Sequence, residues 1–389
     1  MQALGIIAEY NPFHSGHLLQ LNETKKMVDL PVIAVMSGSF VQRGEPAFAD
    51  KWLRARMAID AGVDLVFELP TAFTLRSAEH FAHGGVKLLE ATGVTTHLSC
   101  GAENAELDYT SLAKKMLEPK TQLALHSYIK KGLSYAQACE LALENNSALA
   151  NKPNNILALE YAKALLSTNI KQLVIPRQGN NYNELTLSQF ASATAIRKAY
   201  FAGDNWQQAV PASTEELLNA HKNALGYDEA KLWLLLKYKL ALSTPETILA
   251  TTECTEGLEN LLASAVNCSS FAEAIAACTN KRYPASRIHR LFMQLLLGMP
   301  RSYYANNEPA YIRILAFNDR GRALLSTMKE TASLPIITKL GKNPCQNQSQ
   351  AFKEQLELDI AASNIVALLR PSTQSFGSDY LTSPYYKKE

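Results

Sequence analysis

The first two hundred residues alternate short apolar, β-prone runs with stretches of helical apolar spacing, and this alternation leaves few folds open. Residues 4–8 form the first such run. Beyond the break at Asn11-Pro12, residues 16–29 carry a helical rhythm in Leu18, Leu19, Leu21 and Met27. Residues 31–36, 64–69, 96–100 and 172–175 read as further strands. Residues 51–61, 77–91, 110–131, 134–145 and 154–166 read as the helices between them. Strands separated by about 10–20 residues of helix require right-handed crossovers, so the expected fold class is α/β, a Rossmann-like parallel sheet with helices on both faces. From about residue 202 the pattern becomes helices with short connections, at 213–224, 227–242, 255–266, 270–279, 284–298 and 309–330. The boundary of a mainly α-helical C-terminal domain is placed there, giving units 1–203 and 204–389. Residues 334–338 read as a strand, 352–369 as a helix, and the end from Pro371 as loosely structured.

Composition narrows the class without deciding it. A chain of 389 residues with 47% hydrophobic and 19% charged residues buries a sizeable core, and its net charge of +2 neither demands nor excludes nucleic acid. Six cysteines at 100, 139, 254, 268, 278 and 345 form no C-x-x-C pair, so neither a zinc site nor a disulfide framework is expected. No run approaches the ~20 apolar residues of a membrane span, and no leader precedes the first strand. The expectations are a cytoplasmic protein, no membrane partner and no protein-bound structural metal.

The chemistry is concentrated after the first strand. His14-Ser15-Gly16-His17 lies where a strand runs through a turn into a helix N-terminus, the place where open α/β sheets bind ligands. Such an end favours anions through its backbone N–H groups and its dipole. His14 and His17 can donate hydrogen bonds to oxygens that gain charge during attack at phosphorus. The plainer reading is a loop histidine and a capping histidine. Ser192-Ala193-Thr194-Ala195-Ile196-Arg197 opens a later helix, with hydroxyl caps and an arginine one turn on, and fits a second phosphate clamp or an ordinary capped helix. The loop from Ser37 to Ala47 carries Arg43, which could meet an anion; Lys51, Arg54 and Arg56 extend the positive character or form a solvated face. Between Lys281 and Arg322 eight Lys/Arg stand against Glu308 and Asp319, a local charge of +6, interleaved with Tyr283, Phe292, Tyr303, Tyr304, Tyr311 and Phe317. That pattern suits RNA, or else the aromatics are core and the arginines solvated.

The HxGH element resembles the signature of the nucleotidylyltransferase superfamily, whose S-x-T-x-I-R element is similar to residues 192–197. More narrowly, Glu9-Tyr10-Asn11-Pro12-Phe13-His14-Ser15-Gly16-His17, Gln42-Arg43-Gly44-Glu45-Pro46, the stretch Gly62 to Pro70, and Pro153-Asn154-Asn155 together resemble the bacterial tRNA(Met) cytidine acetate ligase family. The resemblance implies an enzyme that activates acetate with ATP as acetyl-adenylate, releasing pyrophosphate. It then acetylates the exocyclic amine of the wobble cytidine of elongator tRNA(Met), giving N4-acetylcytidine, with Mg²⁺ accompanying ATP. Residues 1–203 would be the catalytic domain and 204–389 the tRNA-binding one. His14 and His17 would be catalytic. The ATP-binding set would be Ile7, Ala8, Glu9, Tyr10, Asn11, Pro12, Phe13, His14, Ser15, Gly16, His17, Leu18, Leu19 and Gln20, with Gly101, Asn154, Arg177, Ser192, Thr194 and Arg197. Lys281, Arg282, Arg287 and Arg290 would meet tRNA. A lysine is expected near the end of the first segment; Gln20 stands there, and the nearest lysines are Lys25 and Lys26. The alternatives are a small-molecule nucleotidylyltransferase and a non-catalytic tRNA-binding protein with a relict nucleotide site.

Overall fold

The apolar runs assemble into one sheet. In the computed structural model, which describes residues 1–144, 149, 152–177, 190–255, 257–305, 308–372 and 376–388, the strands are β1 (Ala3–Ala8), β2 (Val32–Ser37), β3 (Phe40–Val41), β4 (Glu45–Pro46), β5 (Leu65–Leu69), β6 (Thr95–Ala102), β7 (Lys171–Pro176), β8 (Ile312–Asn318), β9 (Ile336–Ile337) and β10 (Tyr385–Lys387). The main sheet has the order β10-β8-β5-β2-β1-β6-β7, with β9 beside β8, and β3 and β4 form a separate hairpin. Pairings from β5 through β7 are parallel; β8 runs antiparallel to β5, with Leu65 opposite Phe317. The sheet therefore keeps the expected Rossmann-like half and gains an edge from the far end of the chain.

Alternation along the strands builds two apolar layers. Ile33 and Val35 of β2 face one side with Ile7, Leu65 and Phe67. Val32, Ala34 and Met36 face the other with Leu4, Ile6 and Val66. Because both faces are covered, these strands read as nearly continuous apolar runs.

Residues 204–389 are mostly helical, and the chain as a whole departs from expectation at three points, two here and one in the first half. The segment expected as one helix over 309–330 is strand β8 followed by the helix Asp319–Thr331, capped by the Asn318 side chain. The end expected to be loose contains β10, paired parallel to β8 through Tyr385–Ala316. The helix expected over 110–131 breaks into Tyr109–Met116 and Pro119–Lys130, with proline at the start of the second.

A buried ionic cluster joins this edge to the first half. Lys51 Nζ donates to both Glu68 oxygens at 2.8 Å and to Asp379 Oδ1 at 2.6 Å. Arg313, on β8, donates from Nη2 to the Asp379 carbonyl at 3.0 Å. None of these four side chains is more than 2% exposed. Lys51, expected on a charged helix face, is instead an interior cation.

Candidate active site

The carboxyl ends of β1, β6 and β7 open into a cavity of about 530 Å³. Its walls include Ile7, Ala8, Glu9, Asn11, His14, Gly16, His17, Leu19 and Gln20 from the first strand–helix unit. Gly101, Asn154, Arg177, Ser192, Thr194 and Arg197 complete the set brought together from distant sequence. Gln178 and Gly179, which follow Arg177, lie outside the described residues. Tyr10, Pro12, Phe13, Ser15 and Leu18 are not among the lining residues. Tyr10 and Phe13 are buried in the layer beneath, 2% and 0% exposed, where their rings pack at 4.8 Å and flank His17. They support the site from below.

The histidine pair is locked by the helix it opens. His14 is the N-cap of the helix Ser15–Met27: its Nδ1 accepts from the Gly16 N–H at 3.1 Å, and its own N–H donates to His17 Nδ1 at 3.2 Å. Gly16 is required because a Cβ there would sit 2.9 Å from His14 Cε1, where the ring folds back over the backbone. The two imidazoles stack with centroids 3.6 Å apart at 23°. With each Nδ1 accepting from backbone, the neutral rings carry their protons on Nε2, leaving two donors for a ligand. Burial, with Arg177 nearby, pushes the His14 pKa down to about 3. Burial and the neighbouring His14 hold His17 well below its ordinary value. The pair is therefore neutral at physiological pH. The Gly16 N–H is consumed by the cap, so the donors facing phosphate are imidazole N–H groups more than free helix N–H groups.

A second cluster is set by capping and clamping. Ser192 Oγ accepts from the Ala195 N–H at 3.2 Å and starts the helix Ala193–Ala202. Arg197 Nη1 donates to the Asn11 carbonyl at 2.8 Å and Nη2 to Thr194 Oγ1 at 3.4 Å, joining the two halves of the cavity wall. Opposite, Glu103 accepts from the Asn154 amide Nδ2 at 2.6 Å and the Asn155 N–H at 2.9 Å, and Asn154 Oδ1 accepts from Arg177 Nη1 at 3.0 Å. Asn154 thus aims Arg177, whose stem lies across Gly101.

Gln20 donates to the Ser99 carbonyl at 3.3 Å on β6. Lys25 is held by the Gly62 carbonyl at 2.6 Å and Lys26 pairs with Glu23 at 2.7 Å, so neither is directed to the histidines.

Arg54, expected to extend the positive character or to form a solvated face, has a different role, and a contribution comes from the helical half as well. Buried Arg54 donates to the backbone carbonyls of Glu9 at 2.6 Å, Ala49 at 3.0 Å and Gly38, stitching the loops after β1 and β2 together. Pro284, from the helical half, reaches the cavity wall. The helix Ala285–Leu297 that follows it docks on the hairpin: Gly44 has φ +80° and a Cβ there would lie 2.4 Å from Arg290 N.

The four expected tRNA residues are not equivalent. Lys281 is exposed, Arg282 and Arg287 lie over the Tyr283 ring at 5.6 and 5.1 Å, and Arg290 donates to the Gln42 carbonyl at 3.2 Å. Burial pushes the Arg290 pKa down to about 10. Of the interleaved aromatics, Phe292 and Tyr311 are fully buried and Tyr283 is 8% exposed, so these three are core rather than stacking platforms.

Comparison with known proteins gives this geometry a lineage. A model for the HIGH Nucleotidyl Transferase family matches residues 1–379. The chain is 39% identical to the tRNA(Met) cytidine acetate ligase of Alkaliphilus metalliredigens over 100% of both chains. It is 38% identical to that of Clostridium perfringens over 99% of each. The crystal structure of Thermotoga maritima TmcAL in its apo form superposes with a TM-score of 0.93 at 32% identity, and the form bound with alpha-thio ATP with 0.90 at 31%, each over 100% of both chains. Full-length similarity at this level, together with the HxGH cap and the Arg197 clamp, shows that the chain belongs to the tRNA(Met) cytidine acetate ligase family of HIGH nucleotidyl transferases.

Proposed function

We propose that this protein is an ATP-dependent ligase that joins acetate to AMP, releases pyrophosphate, and passes the acetyl group to the exocyclic amine of the wobble cytidine of elongator tRNA(Met). The observation that carries the first step is the neutral His14–His17 pair, each Nδ1 engaged by backbone and each Nε2–H left as a donor beside a cavity large enough for a nucleotide. The acetate oxygen attacks the α-phosphorus and the pyrophosphate oxygen leaves, so charge builds on the non-bridging oxygens. Two fixed N–H donors stabilise that charge without reorganising, and a neutral pair avoids repelling itself when stacked. Arg197 and Arg177 supply guanidinium forks for the pyrophosphate. No side-chain nucleophile is needed.

Mg²⁺ enters with the triphosphate as part of the substrate. Among the described residues no group of three or more His, Cys, Asp or Glu forms a metal cage. Mg²⁺ that keeps several waters and binds mainly through phosphates fits such a site.

Residues 1–203 supply the ATP chemistry in this reading, and 204–389 supply the tRNA surface. Lys281, Arg282 and Arg287, which flank the cavity-wall residue Pro284 in sequence, support it, whereas Arg313, counted in the local charge of +6, is buried against Asp379 and takes no part. Arg290 serves by holding that surface on the hairpin. No helix among the described residues is long and apolar enough to cross a membrane.

Incubation with labelled acetate and ATP, with and without tRNA, tests the reading. Acetate-dependent pyrophosphate release and labelled tRNA are expected. His14→Ala and His17→Ala should each slow adenylate formation about 10²-fold or more. Pyrophosphate release onto another acceptor, or ATP binding without turnover, would replace the reading with one of its alternatives.

A further inference from the structure

The cavity that would hold ATP and acetate, both anions, contains one acidic side chain among its described lining residues. That residue is Glu9, which shares the walls with His14, His17, Arg43, Arg177 and Arg197. A carboxylate in an anion-binding cavity opposes its ligands, so its presence calls for a use. Acetate adenylation offers none, because acetate arrives already ionised and attacks without giving up a proton. Acetyl transfer does. The lone pair of the cytosine amine is delocalised into its ring, and the attacking nitrogen must lose a proton as the new bond forms.

Glu9 is built into this position. It stands just past the end of β1, its Oε1 accepts from the Gln42 N–H at 2.7 Å, and its backbone carbonyl is held by Arg54 Nη1 at 2.6 Å. The backbone bond occupies one oxygen and sets the carboxylate's direction. In the same cavity wall, Tyr161 carries a buried hydroxyl with no hydrogen-bond partner among the described residues. A carboxylate is also the side chain that reads a cytosine amine, since it accepts from N4–H.

Resting on the function proposed above, we infer that Glu9 receives the cytidine amine in the second step and accepts its proton. The N4 nitrogen attacks the acetyl carbonyl carbon and the C–N bond forms. The bond from that carbon to the phosphate oxygen breaks, AMP leaves with the electron pair, and the amine proton passes to the Glu9 carboxylate and then to water. Burial raises the Glu9 pKa above its usual range; the Gln42 N–H, then Arg43, Arg197 and Arg54, act in the opposite direction, and neutral His14 and His17 line the same wall. The transfer rate should therefore fall as pH drops through this raised value.

The test uses the full chain, elongator tRNA(Met) transcript and acetyl-adenylate formed on the enzyme. Glu9→Gln keeps the acceptor for the Gln42 N–H and removes the basicity. Its single-turnover transfer should fall about 10²-fold or more relative to its acetate-dependent adenylate formation, and its residual rate should lose the acidic limb of the pH profile. Glu9→Asp, which keeps the carboxylate, should retain that limb at a reduced rate. Equal losses in both half-reactions, or a pH profile in Glu9→Gln matching that of wild type, overturn the inference while leaving the ligase reading intact. A wild-type protein that makes neither acetyl-adenylate nor acetylated tRNA overturns both.

Discussion

Acidification should destabilise this protein through the histidine pair, and His14 fixes the size of the effect. Its pKa in the folded chain is held down to about 3 by burial, while an unfolded histidine titrates near its ordinary value of 6.5. Above pH 6.5 both states are neutral and the group adds nothing to the pH dependence. Below it the unfolded chain takes up a proton that the folded chain refuses, so stability falls by about 1.4 kcal/mol per pH unit until the folded value is reached. Between pH 7 and pH 5 that amounts to about 2 kcal/mol from His14 alone, a roughly thirtyfold shift in the folding equilibrium. His17 is displaced in the same direction and deepens the loss. Urea unfolding followed by tryptophan fluorescence at the two pH values measures this, with His14→Asn as the reference because asparagine preserves an N-cap. Wild type should lose about 2 kcal/mol more than the variant over that interval. Parallel losses would show that His14 titrates normally, and the assignment of neutral Nε2–H donors would fall with it.

The docked hairpin, the ionic cluster and the basic helix give further expectations. Gly44→Ala should cost about 2 kcal/mol or more, from a positive φ and a Cβ driven against the Arg290 backbone, and should raise the KM for ATP by displacing Arg43; an unchanged melting temperature and KM would refute the contact. Asp379→Ala leaves Lys51 and Arg313 buried with a partner missing and should cost about 3 kcal/mol, read as a lowered melting temperature. Arg287→Gln should weaken tRNA binding and reduce its salt slope by about 1, whereas Arg290→Gln should also lower thermal stability through the lost bond to the Gln42 carbonyl. Equal thermal stability in the two arginine variants would put Arg290 on the free surface.

The first half of the fold was legible because each parallel strand there is buried on both faces and so announces itself as an apolar run. The histidine motif was legible as a site for the same local reason: strand, break, cap and helix follow within the span from Leu4 to Met27. Strand β8 was not. Its residues Ile312 to Asn318 are apolar apart from Arg313 and Asn318, without the alternation that separates strand from helix, and they run directly into the helix at Asp319. Arg313 looked like a surface cation because its partner, Asp379, lies far along the chain; Lys51 was misread for the same reason. The role of Glu103 was hidden too, since a carboxylate that caps another segment's helix and orients an asparagine leaves no mark on its own neighbours.

The strand that borders β5 and the second acid that binds Lys51 come about 250 and about 330 residues after their partners in the chain, at Ile312–Asn318 and Asp379. During translation these pieces leave the ribosome after the nucleotide half, which waits until then with an unpaired β5 edge and a Lys51–Glu68 pair that lacks Asp379. A chain cut before Asp379 would therefore keep every HxGH residue in place around an unfinished interior, a substrate for proteolysis rather than a slow enzyme.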